Sequence, residues 1–184
     1  MAIDKIQSES INLADNFAFT GTVTGTPGIT QADVWRIIDG AGVATSNTRT
    51  VITGTWERAD DAANGYVGSG MSQSSGVFTF PQTGFWLVEF IAQYYASADR
   101  RYVAAIIEAT TNNSDYDRLA FGRSHIEHSY GTTYAQPTTS TIIDVTDTSN
   151  VKVRFLSQSE DSATLNTATD ENYTYAVFIR LGDT

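Results

Sequence analysis

The sequence of 184 residues contains no cysteine. Disulfide bonds, thiol catalysis and cysteine-ligated zinc are therefore excluded, and the fold must rest on packing, hydrogen bonds and any gain from oligomerisation. Lysine is almost absent as well, with Lys5 and Lys152 alone, and the formal net charge is −10. A surface of that sign repels phosphate groups, so we expect neither nucleic acid nor an anionic membrane as a partner.

Long apolar runs are also missing. No run approaches the ~18 residues of a transmembrane helix, so membrane insertion is not expected. The first residues, MAIDKIQSES, contain no continuous apolar segment of the kind that a secretory signal needs. We therefore expect a chain that is made in a cytoplasm without a signal peptide, and that leaves the cell by lysis, by a specialised route or as part of a particle.

Helical periodicity is nearly absent, whereas alternation with a period of two is common, and Gly, Asn and Asp separate the alternating segments. This pattern predicts an all-β protein with many short strands. The expected strands include 35–38, 51–56, 77–80, 85–95, 102–109, a strand starting at 119, 141–145 and 151–155. Tyr173, Tyr175, Val177 and Ile179 share one parity near the end of the chain. A terminal strand this apolar is expected to lie in the middle of a sheet.

The first 28 residues differ from the rest. Phe17, Phe19 and Val23 alternate with threonines, and glycines then predict bends or a linker. A lone apolar strand is unstable in water, so this segment should dock on a partner or pair with another chain. It could equally be the first strand of the same domain. We therefore divide the chain into an extended attachment segment, 1–28, and a β domain, 29–184. The candidate attachment or trimer residues are Ile11, Leu13, Phe17, Phe19 and Val23.

The central segment GVFTFPQTGFWLVEF, residues 76–90, resembles the signature of C1q domains. That signature combines a Gly-x-Phe-x-x-Pro run with a second glycine and alternating apolar residues. Its positions are matched here by Gly76, Phe78, Pro81, Gly84, Trp86, Val88 and Phe90. Alternation predicts that the last three face one side of a sheet.

The resemblance covers roughly residues 51–184 and implies a C1q/TNF-like jelly-roll sandwich of ten strands that packs as a tight homotrimer. Residues 143–155 resemble the family's paired strands around an Asp-containing turn, and residues 175–179 resemble its closing strand. The collagen-like Gly-x-y stalk of animal members is absent from the sequence, which argues against their extracellular role.

Residues 4–25 are similar to segments of structural proteins from tailed bacteriophages, marine ones especially. In those proteins the segment tends to precede a fibre or knob domain. Together, the two resemblances imply a virion surface protein whose N-terminal segment binds another virion protein and whose trimeric head projects outward.

Candidate catalytic and metal-binding residues are scattered. His125 and His128 are three residues apart, a spacing that points to opposite sides of a strand and does not favour zinc. Carboxylate pairs occur at 60–61, 115 and 117, 160–161 and 170–171, where they could act on glycosides across a cleft or bind Ca²⁺. No Ca²⁺-loop pattern accompanies them, and Ser124 lacks the context of a nucleophile. We predict no catalytic residue, no metal ligand and no cofactor.

Tyrosines are the best candidates for contact with a host surface. We select Tyr116, Tyr130 and Tyr134, because exposed tyrosines stack on sugars and stabilise protein contacts. Sheet packing and trimer contacts are the alternative use of such residues.

The sequence thus favours a non-enzymatic bacteriophage virion protein, a homotrimeric surface appendage whose head contacts a host glycan or protein. It does not separate capsid decoration from a fibre or knob. The alternatives are a stand-alone carbohydrate- or ligand-binding C1q-like module and, third, a glycan-degrading enzyme.

Overall fold

The computed structural model describes residues 28–39, 43–44, 47–61 and 63–184. Every regular element in these ranges is a β-strand, which confirms the all-β prediction. The described residues form no helix of the length and apolarity needed to span a membrane. The strands are β1 (Ala32–Asp39), β2 (Val43–Ala44), β3 (Thr50–Val51), β4 (Thr55–Arg58), β5 (Ser72–Ser74), β6 (Val77–Thr79), β7 (Gly84–Ile91), β8 (Tyr94–Ala96), β9 (Arg100–Thr110), β10 (Asp117–Ile126), β11 (Thr133–Ala135), β12 (Thr138–Val145), β13 (Lys152–Ser159), β14 (Ala163–Leu165) and β15 (Tyr175–Gly182).

Two antiparallel sheets face each other. The first has five strands in the order β12-β7-β15-β1-β4, and the second has six in the order β10-β9-β13-β6-β5, with β3 paired to β13. Sequence neighbours such as β12 and β13 lie in different sheets. Crossing between sheets in this way is typical of a jelly roll rather than of a simple meander.

The predicted strand 85–95 is wrong in one respect, because the chain breaks at Ala92 and Gln93 into β7 and β8. The N–H of Ala92 donates to the carbonyl of Pro137 (3.1 Å), and that of Gln93 donates to the Thr174 hydroxyl (3.1 Å). These bonds replace the ladder of the five-stranded sheet, and β8 continues in a four-stranded sheet of order β11-β8-β14-β2. Such breaks contribute to a total of fifteen described strands where the resemblance implied ten.

The strands around the Asp147 turn are present, but they do not pair with each other as the resemblance implied. β12 pairs with β7 in one sheet, and β13 pairs with β9 in the other. The turn has its own hydrogen bonds, since the Asp147 carboxylate accepts from the N–H of Ser149 at 2.7 Å and its carbonyl accepts from that of Val151 at 2.8 Å. The contacts to Ser149 and Asn150 lower the pKa of Asp147. The turn therefore carries the chain from one sheet to the other.

An aromatic cluster fills the space between the sheets. Phe155 lies near the centre, with ring centroids 4.7 Å from Phe90, 5.4 Å from Phe78 and 5.6 Å from Trp56. Four of the residues in the C1q-like signature are buried in this core: Phe78, Trp86, Val88 and Phe90. Their placement makes them architectural, since none reaches the surface.

The two signature glycines occupy positions that other residues would strain. Gly76 has φ +79° in the turn between β5 and β6, and a Cβ there would overlap the carbonyl oxygen of Ile52. Gly84 has φ +132°, and a Cβ there would overlap the carbonyl oxygen of Gly182 in β15. Positive φ and close backbone approach both favour glycine. Pro81, the remaining member of the signature, is partly buried in the connection before β7.

The closing strand β15 lies between β7 and β1, so its predicted central position is confirmed. Its inward residues are Ala176 and Phe178, both with 0% exposure. Val177 and Ile179 point away from the core and are only partly buried. The apolar parity that stood out in the sequence therefore lies on the outer face of the five-stranded sheet.

The predicted attachment residues Ile11, Leu13, Phe17, Phe19 and Val23 lie outside the described residues. The division of the chain at residue 28 stays a prediction for the same reason.

Candidate functional site

The outer face of the five-stranded sheet carries a row of apolar side chains across four strands. Ile142 on β12 lies opposite Leu87 on β7, and Leu87 lies opposite Ile179 on β15. Ile179 in turn lies opposite Ala32 on β1. The neighbouring row places Val177 beside Val34. We call this surface the apolar face, and it consists of Ala32, Val34, Phe85, Leu87, Ile142, Val177 and Ile179.

Much of the apolar face is open to solvent in the single chain. The exposed fraction is 60% for Ile142 and 40% for Phe85, and the other members are partly buried. An antiparallel sheet with one solvated face normally presents polar residues there. Two acidic side chains flank the row of Leu87: Glu89, between Ser140 and Val177, and Asp144 on β12, opposite Phe85. An apolar surface of this kind marks a contact site.

A buried arginine stands at the edge of the apolar face. The Arg36 side chain on β1 is 1% exposed, and its Nη2 lies 2.6 Å from Glu57 Oε1 and 3.1 Å from Asp60 Oδ1. Its Nη1 pairs with Asp61. Burial lowers the pKa of Arg36, but the bonds to Glu57 and Asp61 outweigh burial and leave the pKa above its ordinary value. The predicted loop acids Asp60 and Asp61 therefore neutralise a buried cation.

The remaining predicted carboxylate pairs occupy three separate segments of the chain, at 115 and 117, 160–161 and 170–171. Asp115 accepts a hydrogen bond from the Asn112 side chain at 2.9 Å, and Asp117 begins β10. Glu160 pairs with Arg101, whose backbone and side-chain N–H groups lower the pKa of Glu160. Glu171 raises the pKa of Tyr173 through a hydrogen bond. Asp115, Glu160 and Glu171 therefore each have a separate local partner.

The two histidines occupy the end of β10 and the loop after it. His125 is exposed on β10, and the backbone N–H of His128 donates to Asp99 at 2.7 Å. Across the described ranges, no group of three His, Cys, Asp or Glu side chains is placed to hold a metal ion.

The three selected tyrosines lie in two places. Tyr130 is 92% exposed and Tyr134 is 57% exposed. Tyr134 packs against Tyr95 with ring centroids 5.9 Å apart. Tyr95 in turn lines an open cavity of about 540 Å³ with Arg100, Thr132 and Thr164 among its other walls.

Tyr116 lies just before β10, beside the six-stranded sheet. It is half-buried, and its ring centroid lies 3.8 Å from the guanidinium carbon of Arg154 on β13. Burial raises the pKa of Tyr116, against an opposing effect of Arg154. The structure therefore does not gather the three tyrosines into one contact surface.

The two facing sheets, the crossovers between them and the buried signature residues define a jelly-roll sandwich of the C1q/TNF type, as the sequence predicted. Solved structures of low identity share this fold. Eiger TNF from S. frugiperda matches with a TM-score of 0.58 and 12% identity, over 85% of this chain and 96% of that one. Murine APRIL crystallised at pH 5.0 matches with a TM-score of 0.55 and 10% identity, over 82% of this chain and 99% of that one. Murine APRIL at pH 8.0 gives a TM-score of 0.54 over 82% and 98% of the two chains, again at 10% identity.

No family model matches the sequence, and no curated protein does. At 10–12% identity the structural matches establish the fold alone.

The apolar face was not selected as a site from the sequence, although a signal for it exists. In β15 the run Ala176-Val177-Phe178-Ile179 is apolar on both parities. A strand that is apolar on both faces is typical of burial on both sides. The same run in a chain with one covered face therefore indicates that something else covers the second.

Proposed function

We propose that this chain is a non-enzymatic structural or binding protein that works as a homotrimer through its apolar face. The observation that carries the proposal is the row Ile142, Leu87, Ile179 and Ala32, which crosses four strands on the side away from the core. The C1q/TNF-like fold supports the same conclusion, because the resemblance implies a tight trimer. A second copy of the chain is the occupant to which we commit.

Physical chemistry favours burial of this face in an assembly. Burying apolar surface contributes about 25 cal/mol per Å², and stable interfaces bury roughly 800 Å² on each partner. Phe85, Leu87 and Ile142 lie on the two outermost strands at one edge of the sheet, where another subunit can reach them. A continuous row of apolar residues also provides one connected contact area for a second subunit, which scattered apolar residues do not.

Light scattering on the purified full-length chain tests the proposal. Three copies of the 20.0 kDa chain should give a mass of roughly 60 kDa. Ile179→Glu places a charge in the middle of the row and should give 20 kDa chains. Val77→Glu is the matched control, since Val77 is also a partly buried strand residue but faces outward from the other sheet. A monomeric wild type, or equal disruption by both variants, would contradict the proposal.

The biological setting that we propose is the surface of a bacteriophage virion. The similarity of residues 4–25 to phage structural proteins supports it, with residues 1–28 as the attachment segment to another virion protein. Decoration of a capsid and the head of a short fibre are both compatible with a compact jelly roll. In either case the trimer presents its outward surfaces to the host.

Immunogold labelling of particles from a producing lysate tests this setting. Particles made with the full chain should carry the immunogold label. A chain that lacks residues 1–28 should remain trimeric, but the particles made with it should carry no label. Particles without label would contradict the virion role and favour a stand-alone binding module. Trimer mass and particle label are separate measurements, so either proposal can fail alone.

A further inference from the structure

The outer face of the six-stranded sheet is basic, although the chain as a whole has a net charge of −10. Register places Arg118 and Arg123 of β10 on the same side as Arg154 and Lys152 of β13. Glu108 of β9, between Arg118 and Arg154, is the one acidic side chain in these outward positions of the three strands. We call this surface the arginine face. It combines four cations with one anion.

Two of these arginines are held by aromatic rings instead of by carboxylates. The guanidinium carbon of Arg123 lies 4.5 Å from the Phe121 ring centroid and 4.9 Å from that of Tyr102. That of Arg118 lies 5.1 Å from Phe121. Cation–π contact fixes the plane of a guanidinium without occupying its N–H groups. Both side chains are thus oriented while their donors remain open to solvent.

In the described part of the chain, four arginines form no ion pair with a carboxylate: Arg49, Arg100, Arg118 and Arg123. Of these four, Arg118 and Arg123 are the two that lie over aromatic rings. The five other arginines of this part each form an ion pair with a carboxylate: Arg36, Arg58, Arg101, Arg154 and Arg180. Arg118 and Arg123 form none with any described residue, in a protein with 21 acidic residues. An acidic chain that leaves two oriented, exposed arginines unneutralised offers a site for an external anion.

Geometry and charge indicate the class of anion. Because both guanidinium carbons lie near the Phe121 ring, at 5.1 and 4.5 Å, they are within about 10 Å of each other. Guanidinium groups bind planar or tetrahedral oxyanions with paired hydrogen bonds. Two such groups at this separation suit acidic groups that recur along a sugar chain. A nucleic-acid duplex, with one charge per ~1.7 Å, suits a strongly basic protein and would be repelled by the rest of this chain.

We propose that the arginine face binds an acidic polysaccharide, a glycan chain that carries carboxylate or sulfate groups, through Arg118 and Arg123. The face belongs to the sheet opposite the apolar face, so trimer formation leaves it accessible. The inference goes beyond the proposed function and does not depend on it. Glycan binding can fail in an intact trimer, and a monomer can still bind glycan.

Calorimetric titration of the full-length protein with dextran sulfate, polygalacturonate and neutral dextran tests this proposal. We expect saturable binding of both acidic polymers, no binding of neutral dextran, and weakening as salt rises. Arg118→Gln with Arg123→Gln should weaken binding by ~tenfold or more, the loss expected when charge-assisted pairs are removed. Replacing both arginines by lysine retains the charge and should weaken binding less.

Arg101→Gln is the matched control for charge. Arg101 is 79% exposed at the start of β9, and Glu160 already occupies its guanidinium. Its loss should leave glycan affinity within about twofold of wild type, because a paired surface charge contributes little. Far-UV circular dichroism verifies that each variant is folded. If the double glutamine variant is unfolded, the double lysine variant is used in its place to test glycan binding.

Three outcomes would overturn the proposal. The first is the absence of saturable binding to either acidic polymer. The second is equal weakening by Arg101→Gln and by the double glutamine variant, which would indicate general charge attraction. The third is displacement of the glycan from the wild type by a lower concentration of duplex DNA, which would assign the face to nucleic acid.

Discussion

The two outer faces of the sandwich differ in how far their apolar side chains are buried within one chain. On the six-stranded sheet, Ala104, Ile106 and Leu156 point outward yet are 0–3% exposed. Val51 and Phe121 pack on this outward cluster, and arginines lie over the Phe121 ring. On the five-stranded sheet, Leu87, Val177 and Ile179 lack such a cover among the described side chains. The apolar residues outside the six-stranded sheet are already buried within one chain. Those of the apolar face are not, so burial against a second copy would remove further apolar surface from water.

Arginine also has two roles on these faces. Arg36 is buried at the edge of the apolar face and neutralised by three carboxylates. Arg123 is exposed on the opposite side and held over two rings. The first arrangement stabilises the fold, and the second leaves a cation available to a ligand. Pairing and exposure together, rather than residue type, separate the structural arginine from the functional candidate.

The largest effect is expected from replacing the buried arginine. Arg36→Met removes the cation and leaves Glu57, Asp60 and Asp61 next to one another. Breaking a buried ion pair costs about 3–5 kcal/mol, and we expect the lower end because these acids reach solvent. Urea unfolding monitored by fluorescence measures the change. Arg123→Met is the comparison and should cost less than about 1 kcal/mol. Equal losses for the two variants would remove the distinction between the two roles.

A leucine on each face gives the next comparison. Leu156→Ala should lower the free energy of unfolding by about 2–3 kcal/mol at every protein concentration, since Leu156 is 3% exposed within one chain. The effect of Leu87→Ala should depend on concentration, because association stabilises the folded state by mass action. Melting curves across a range of protein concentrations separate the two. A concentration-independent loss for Leu87→Ala would argue against burial of the apolar face between subunits.

The ends of β7 and β15 test the backbone on which the apolar face rests. Gly84→Ala combines positive φ with overlap on the Gly182 carbonyl, so we expect a loss of about 1–3 kcal/mol. Gly182→Ala alters the facing residue, where a Cβ meets no atom within 4 Å and φ is ordinary. That control should change the free energy of unfolding by less than about 0.5 kcal/mol. Thermal melts compare them, and a larger loss in the control would contradict the assigned strain.

Strand composition predicted the fold class and the central position of β15, because alternation and β-branched residues are local signals. The placement of β12 and β13 in different sheets was not predictable in this way, since a short polar turn joins strands within one sheet as readily as between two. The surfaces were harder still. Arg118 and Arg123 are ordinary charged residues in the sequence. Alternation places Arg123 on the side of Phe121, but Arg118 reaches that side only because β10 has a register shift between Arg118 and Ala120. Likewise, Asp60 and Asp61 gain their role from Arg36, more than 20 residues earlier in the chain.

The smallest change in the free energy of unfolding is expected at Tyr94, which lies beneath the outward cluster of the six-stranded sheet. Tyr94 is 0% exposed, and its hydroxyl donates to the carbonyl of Ala104, a residue of the outward cluster, at 2.7 Å. Burial raises the pKa of Tyr94 well above its ordinary value. A raised folded-state pKa means that the stabilisation is complete below pH ~10, the unfolded value, and is lost as pH rises beyond it. Tyr94→Phe should cost about 1 kcal/mol at neutral pH through the missing hydrogen bond. Tyr94→Phe should also reduce the loss of stability between pH 9 and pH 11, which urea unfolding measures. Tyr130→Phe is the control, since Tyr130 is 92% exposed. It should change neither the stability at neutral pH nor the loss of stability at alkaline pH. An unchanged alkaline slope in Tyr94→Phe would mean that other groups set the response to high pH.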